Sequence, residues 1–180
     1  MLRTLFALFV LASATLSSAA HLEGAEKAEA KFHYSLFSDS PPIFNASGKN
    51  VIPKHITQQK YLFLYFSASW CGPCKKFNPE FIAWYKKNGG GKDFEVVLVG
   101  SDDSTASIKQ YMKDEKFPWL AFEMNGKRFD EIKQKYGGKG IPCVVLLDEN
   151  DAVVAHSYVD GKYVGPRAPL EKYLELTKKK

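Results

Sequence analysis

Cysteine is scarce in this chain, with three residues in 180. That excludes a disulfide-dense scaffold. A chain of this length needs no such staples, because a domain of this size buries roughly 70% of its unfolded surface. Charge of one sign is lacking too. The 25 Lys+Arg against 20 Asp+Glu give a net charge of +5, and the lysines are scattered rather than striped, so nucleic acid is not expected as a partner. No apolar run reaches the roughly 20 residues that a membrane-spanning helix requires. No internal repeat is visible. The chain does have 45% apolar and 14% aromatic residues, too many for disorder and enough for one core.

Residues 1–20 carry a single charge, Arg3, then an apolar run from Leu5 to Ala12 and a small-residue exit, Ser17-Ser18-Ala19-Ala20. This is the layout of a secretory signal peptide, so export to a periplasm or to the extracellular space is expected. An uncleaved anchor is the other reading of this segment, and a membrane is a partner only in that case. Residues 21–31 form a leader arm, 32–178 a single domain and 179–180 a basic tail; a monomer is expected.

Within the domain, Ile43-Phe44 and Val51-Ile52 flank Ala46-Ser47-Gly48-Lys49, which predicts a small hairpin. Tyr61–Phe66 and Phe94–Val99 are unbroken apolar runs, the pattern of strands buried on both faces. Helices are predicted over Pro73–Asn88, Ser104–Asp114, Phe129–Tyr136 and Pro169–Lys178, the second with polar capping residues at its start. Val144–Leu147 and Val153–Tyr158 read as two strands joined by a turn at Asp148–Asp151. Strand–helix–strand followed by helix and hairpin is an α/β order with a mixed central sheet.

The chemistry is concentrated at Ser69-Trp70-Cys71-Gly72-Pro73-Cys74-Lys75. A C-x-x-C pair serves either redox or metal chemistry. Here it follows a buried strand and opens a helix, where unpaired amides and the helix dipole favour an anion. A Cys71 thiolate at that position is expected to ionise below its usual ~8.5, while Cys74, one turn inside, is more shielded. Gly72 and Pro73 suit a tight helix entry. Cys71 is thus the expected nucleophile and Cys74 the resolving thiol, acting through a mixed disulfide. A zinc site needs four ligands, and Cys143, His33, His55 and His156 are isolated, so no metal is expected. A purely structural Cys71–Cys74 bridge would close a tiny loop and stabilise little.

Phe66-Ser67-Ala68-Ser69-Trp70-Cys71-Gly72-Pro73-Cys74 resembles the active-site region of the thioredoxin superfamily, in its nucleoredoxin and tryparedoxin branch. Phe77-x-Pro79-x-Phe81, Trp84-Tyr85, Pro118-Trp119-Leu120-Ala121 and Tyr136-Gly137-x-x-Gly140-Ile141-Pro142 match the same branch in order and spacing. The resemblance implies a thioredoxin-like three-layer α/β fold, a mixed sheet flanked by helices, with an N-terminal β-hairpin extension. It implies a cis peptide at Ile141-Pro142 beside the cysteines, with the Ile141 backbone pairing an incoming substrate strand and Trp70 near it. It implies no cofactor beyond the redox-active Cys71–Cys74 disulfide, and as partners protein disulfides and an unidentified electron donor. The Gly-Pro pair between the cysteines is similar to that of reducing thioredoxins, poised near about −270 mV, so a protein-disulfide reductase is expected rather than an oxidase.

Four positions depart from the family pattern. Tyr65 stands where ordinary thioredoxins carry a buried Asp, leaving water, Asp102, Asp103 or Glu80 as proton acceptor for Cys74. Ser101 replaces the tryparedoxin Trp and Gly72 replaces a usual Pro, so a glutathione–polyamine substrate is not implied. Cys143 stands in place of the usual Thr, either as a third redox thiol or as a small side chain filling strand space. The function expected is that of an exported thiol–disulfide oxidoreductase. Its alternatives are a dedicated reductant for haem attachment or for a peroxidase, and a redox-regulated binding or holdase module.

Overall fold

The computed structural model describes residues 33–37, 42–124 and 126–178, so the expected signal segment, leader arm and basic tail lie outside the described residues. A single helical turn, Tyr34–Phe37 (α1), leads to the hairpin of Ile43–Phe44 (β1) and Asn50–Val51 (β2). Asn45 shapes its turn, its Oδ1 accepting from the Ser47 and Lys49 amides at 3.1 Å each. After a 3-10 turn at Pro53–Gln58 come Tyr61–Ser67 (β3), Gly72–Lys87 (α2), Phe94–Gly100 (β4), Thr105–Asp114 (α3) and Leu120–Phe122 (β5). Then follow Gly126–Tyr136 (α4), Cys143–Leu147 (β6), Val153–His156 (β7), Tyr158–Val159 (β8), Lys162–Tyr163 (β9) and Ala168–Thr177 (α5).

Seven strands form one mixed sheet in the order β2-β1-β5-β4-β3-β6-β7. The two apolar runs lie at its centre as a parallel pair, Tyr61 opposite Phe94 through Ser67 opposite Gly100. Their lack of alternation has a simple cause, because both faces of the sheet are covered. On one face Phe63, Tyr65, Val144 and Leu146 pack with Phe77 and Phe81 of α2, Tyr111 of α3 and Tyr173 of α5. On the other, Leu62, Leu64, Phe66, Cys143 and Val145 pack with Leu36 of α1 and Phe129 and Ile132 of α4. This is the expected three-layer α/β arrangement, with the hairpin extending the sheet at its β5 edge.

Three elements differ from the sequence reading. The β5 strand was unmarked because it is three residues long and fully buried, too short to show a period. The helix expected over Phe129–Tyr136 starts earlier, at Gly126, whose positive φ of 77° suits glycine. The strand expected over Val153–Tyr158 breaks at Ser157. There the buried hydroxyl and backbone both engage Val144: Val144 N donates to Ser157 Oγ at 2.7 Å and Ser157 N donates to Val144 O at 3.0 Å. The chain then leaves the sheet to form the separate β8–β9 hairpin.

Candidate active site

The strand β3 ends at Ser67, and four residues later Cys71 is the N-cap of α2. Its extended φ and ψ (−83°, 101°) let the chain turn into the helix, and its Sγ accepts from the Cys74 amide at 3.2 Å. That amide is one of the four that a helix start leaves without an intrahelical partner. Pro73, within the first turn, forfeits no hydrogen bond there. Cys71 and Cys74 form a disulfide, with Cα atoms 5.2 Å apart. Cys74 is completely buried and Cys71 nearly so, while Gly72 and Pro73 between them are exposed. A side chain built on Gly72 would meet nothing within 4 Å, so the loop between the two cysteines faces open space.

The Ile141–Pro142 peptide is cis and lies against this pair. Cys71 Sγ is 3.8 Å from Ile141 O, and Ile141 packs on a small cluster of Ala68, Cys71 and Cys74. Trp70 projects beside them, 68% exposed, and its Nε1 donates to Ser101 O at 3.3 Å. Trp119 is instead a core residue, in ring contact with Tyr65, Phe81, Tyr85 and Phe117. Pro79 is accommodated inside α2, which runs on to Lys87, and Lys75 is exposed.

Tyr65, at the position where an aspartate was expected in ordinary thioredoxins, opens a neutral chain of hydrogen bonds that includes Asn78, one turn after Cys74 on α2. Tyr65 Oη donates to Asn78 Oδ1 at 2.7 Å, Asn78 Nδ2 donates to Tyr111 Oη at 2.9 Å, and Tyr111 Oη meets Ser67 Oγ at 2.8 Å. All four residues are buried. Burial raises the Tyr65 and Tyr111 hydroxyls above the ordinary phenol value, so both keep their protons. Sequence reasoning missed Asn78, Tyr111 and Ser67. The one available signal was the polar Asn78 on the face of α2 that also carries Cys74, Phe77 and Phe81.

The three carboxylates considered at this site separate clearly. Glu80 is held in an exposed ion pair with Arg167. Asp103 is exposed and accepts from Ser107 Oγ at 2.7 Å, which holds its carboxyl below the usual value. Asp102 is buried. Its Oδ1 accepts from Ser69 N at 3.0 Å and Ser69 Oγ at 2.5 Å, tying the active-site loop to the end of β4, while its Oδ2 is buried without a hydrogen-bond partner.

Cys143 is not brought to the pair. It follows Pro142 directly, but strand alternation turns its thiol to the opposite face of the sheet, into the cluster with Phe66, Val97 and Tyr136. Its Sγ is 3.9 Å from His156 Nε2. That imidazole is no base for it. His156 Nδ1 accepts from Tyr158 N at 2.9 Å, so Nε2 carries the proton and donates to Tyr136 O at 3.0 Å. Burial pushes the Cys143 thiol up to about 11.

A thioredoxin-like family model matches residues 58–153. Tryparedoxin of Trypanosoma brucei brucei is 34% identical over 96 residues, 53% of this chain and 65% of that protein. Nucleoredoxin of Xenopus laevis is 38% identical over 96 residues, 52% of this chain but 23% of its own length. The chain therefore spans less than two thirds of these curated relatives. The crystal structure of thioredoxin from Wuchereria bancrofti superposes with a TM-score of 0.60 at 26% identity, over 76% of this chain and 96% of that one. The matched span includes Cys71, Cys74 and the cis Ile141–Pro142 peptide, and with it the chain belongs to the thioredoxin-like family, with nucleoredoxins and tryparedoxins among its relatives.

Proposed function

We propose that the protein is an exported thiol–disulfide oxidoreductase that reduces protein disulfides. The observation that carries this reading is the Cys71–Cys74 disulfide at the start of α2, beside the exposed Gly72-Pro73 loop and against the cis Ile141–Pro142 peptide. In the reduced protein the Cys71 thiolate, stabilised by the amides of the first helical turn, attacks one sulfur of a substrate disulfide. The substrate's other sulfur leaves as a thiolate and takes a proton. Cys74 then loses its proton and attacks Cys71 Sγ, releasing the second substrate thiol and forming the Cys71–Cys74 bridge. One substrate disulfide is reduced and one protein dithiol is oxidised, so each cycle needs a two-electron donor. The half-buried Ile141 and the exposed Trp70 are the contacts for an extended substrate, and no cofactor beyond the disulfide is required.

Insulin reduction with dithiothreitol tests the reading. Cys71→Ser is expected to abolish turnover, and Cys74→Ser to stop at a mixed disulfide that can be trapped and identified. A wild type without turnover, together with a Cys74→Ser protein that captures nothing from its compartment, would favour the binding-module alternative. After mild peroxide, mass mapping of the same protein is expected to show the Cys71–Cys74 bridge with Cys143 free, and a bridge to Cys143 would reinstate it as a third redox thiol. The export part of the proposal rests on residues 1–20. Mass analysis of the protein from its native compartment should find that segment removed, and an intact Met1 would return the anchor reading.

A further inference from the structure

Beyond Ser157 the chain touches the cis-proline loop and then α2 before it enters α5. Tyr163 Oη donates to Pro142 O at 3.0 Å, within the loop whose Ile141 O is 3.8 Å from Cys71 Sγ. Four residues on, Arg167 reaches Glu80 of α2, its Nε donating to Oε1 at 2.6 Å and its Nη2 to Oε2. The segment from Tyr158 to Arg167 is therefore a strap, anchored near its middle by Tyr163 to the cis-proline loop and at its end by Arg167 to the helix that carries both cysteines. The strap is itself well defined. Asp160 and Gly161 have φ of 50° and 75°, the two left-handed residues that a tight hairpin turn needs. Val164 N donates to Ser157 O at 2.9 Å, and the Tyr158 and Tyr163 rings lie 5.0 Å apart. Tyr163 is 50% exposed, so it grips the loop from the solvent side.

We propose that Tyr163 is a positioning residue for polypeptide substrates: its hydroxyl fixes the carbonyl of the cis-proline itself and so presents the Ile141–Pro142 edge to an extended disulfide-bearing chain. The inference rests on the oxidoreductase reading and adds to it a determinant of substrate class. An edge held in its binding conformation loses less entropy when a substrate strand pairs with it. A small disulfide has no backbone to pair, reacts at Cys71 alone and gains nothing from the strap. The strap therefore discriminates by substrate size, through apparent affinity rather than through the chemical step.

Tyr163→Phe keeps the ring and removes the hydroxyl. With the full chain and dithiothreitol as reductant, its KM for a cystine-linked extended peptide is expected to rise about fivefold at unchanged kcat, the loss of one ordinary hydrogen bond. Its rate with a small aromatic disulfide should match that of the wild type. Arg167→Gln, which releases the other anchor at an exposed site, should shift the peptide KM in the same direction by about twofold. An unchanged peptide KM in Tyr163→Phe overturns the proposal, as does an equal loss on both disulfides, which a merely structural role would produce. A wild type inert toward both substrates would remove the oxidoreductase reading itself, whereas a wild type active on both with an unaltered variant removes this inference alone.

Discussion

Asp102 engages the active-site loop with one carboxylate oxygen and leaves the other buried and unpartnered. The three groups of the hydrogen-bonded chain at Asn78, one turn after Cys74 on α2, are weak acceptors for a thiol proton. The Tyr65 and Tyr111 hydroxyls are held protonated by burial, and the Asn78 amide does not titrate. Glu80 is committed to Arg167. Asp102 also lies close enough to Tyr111 for its charge to help raise that phenol. We propose Asp102 as the acceptor for the Cys74 proton because, of the three carboxylates expected there, it alone is buried and tied to the active-site loop. Asp102→Asn separates this role from the tether, because an amide oxygen still accepts from Ser69 N. Turnover is expected to fall tenfold or more, with the Cys71 mixed disulfide accumulating, while the unfolding free energy moves by about 1 kcal/mol or less. Turnover at the wild-type rate would return the proton to water.

At the scale of elements, the helix carrying the cysteines was legible from residue pattern alone. Pro73 and the Gly89-Gly90-Gly91 run bracket it, and Ser104 caps α3 by accepting from Ser107 N at 3.1 Å, as its position implied. The central strands announced themselves because burial on both faces leaves an unbroken apolar run. The strap did not. Its strands are two residues each with exposed or half-buried side chains, so they carry no hydrophobic period, and the break that creates them depends on Ser157 meeting Val144 across the sheet. The Tyr65–Asn78–Tyr111 chain was invisible for the same reason: its members are distant in sequence and meet only when α2 and α3 pack on β3. Ser157 is thus the residue on which the strap's departure turns. Ser157→Ala removes the acceptor of the buried Val144 N–H and should lower stability by about 1–3 kcal/mol in urea unfolding. A loss below about 0.5 kcal/mol would mean that the backbone bond from Ser157 N to Val144 O is enough to hold the break.

Among the described residues, beside the buried carboxylates Glu95, Asp102 and Asp151, five buried weak acids have their protons held by the fold: Tyr65, Tyr85, Tyr111, Tyr173 and Cys143. Burial raises Tyr65 and Tyr111; burial, and then the Glu95 charge, raises Tyr85. Tyr173 is pushed up to about 12, mainly by burial, and Cys143 to about 11. All of these shifts carry the same sign. The unfolded chain releases its protons near 9.0 for cysteine and 10.0 for tyrosine, while the folded chain retains them to higher pH. Their contribution is therefore complete below about pH 9 and is lost as pH rises through the folded values, because there the unfolded state binds fewer protons. Cys143 alone accounts for at most about 2–3 kcal/mol of that loss. Thermal midpoints should be insensitive to these groups up to about pH 9 and then fall steeply. The buried phenolates should become visible by absorbance together with loss of the fold, because Tyr65, Tyr85 and Tyr173 sit in one aromatic cluster with Phe63, Phe81 and Phe94, where an ionised ring has no polar solvent. Phenolate signals from more than the exposed tyrosines in a protein that still melts cooperatively would contradict this, and would show that the cluster admits water while folded.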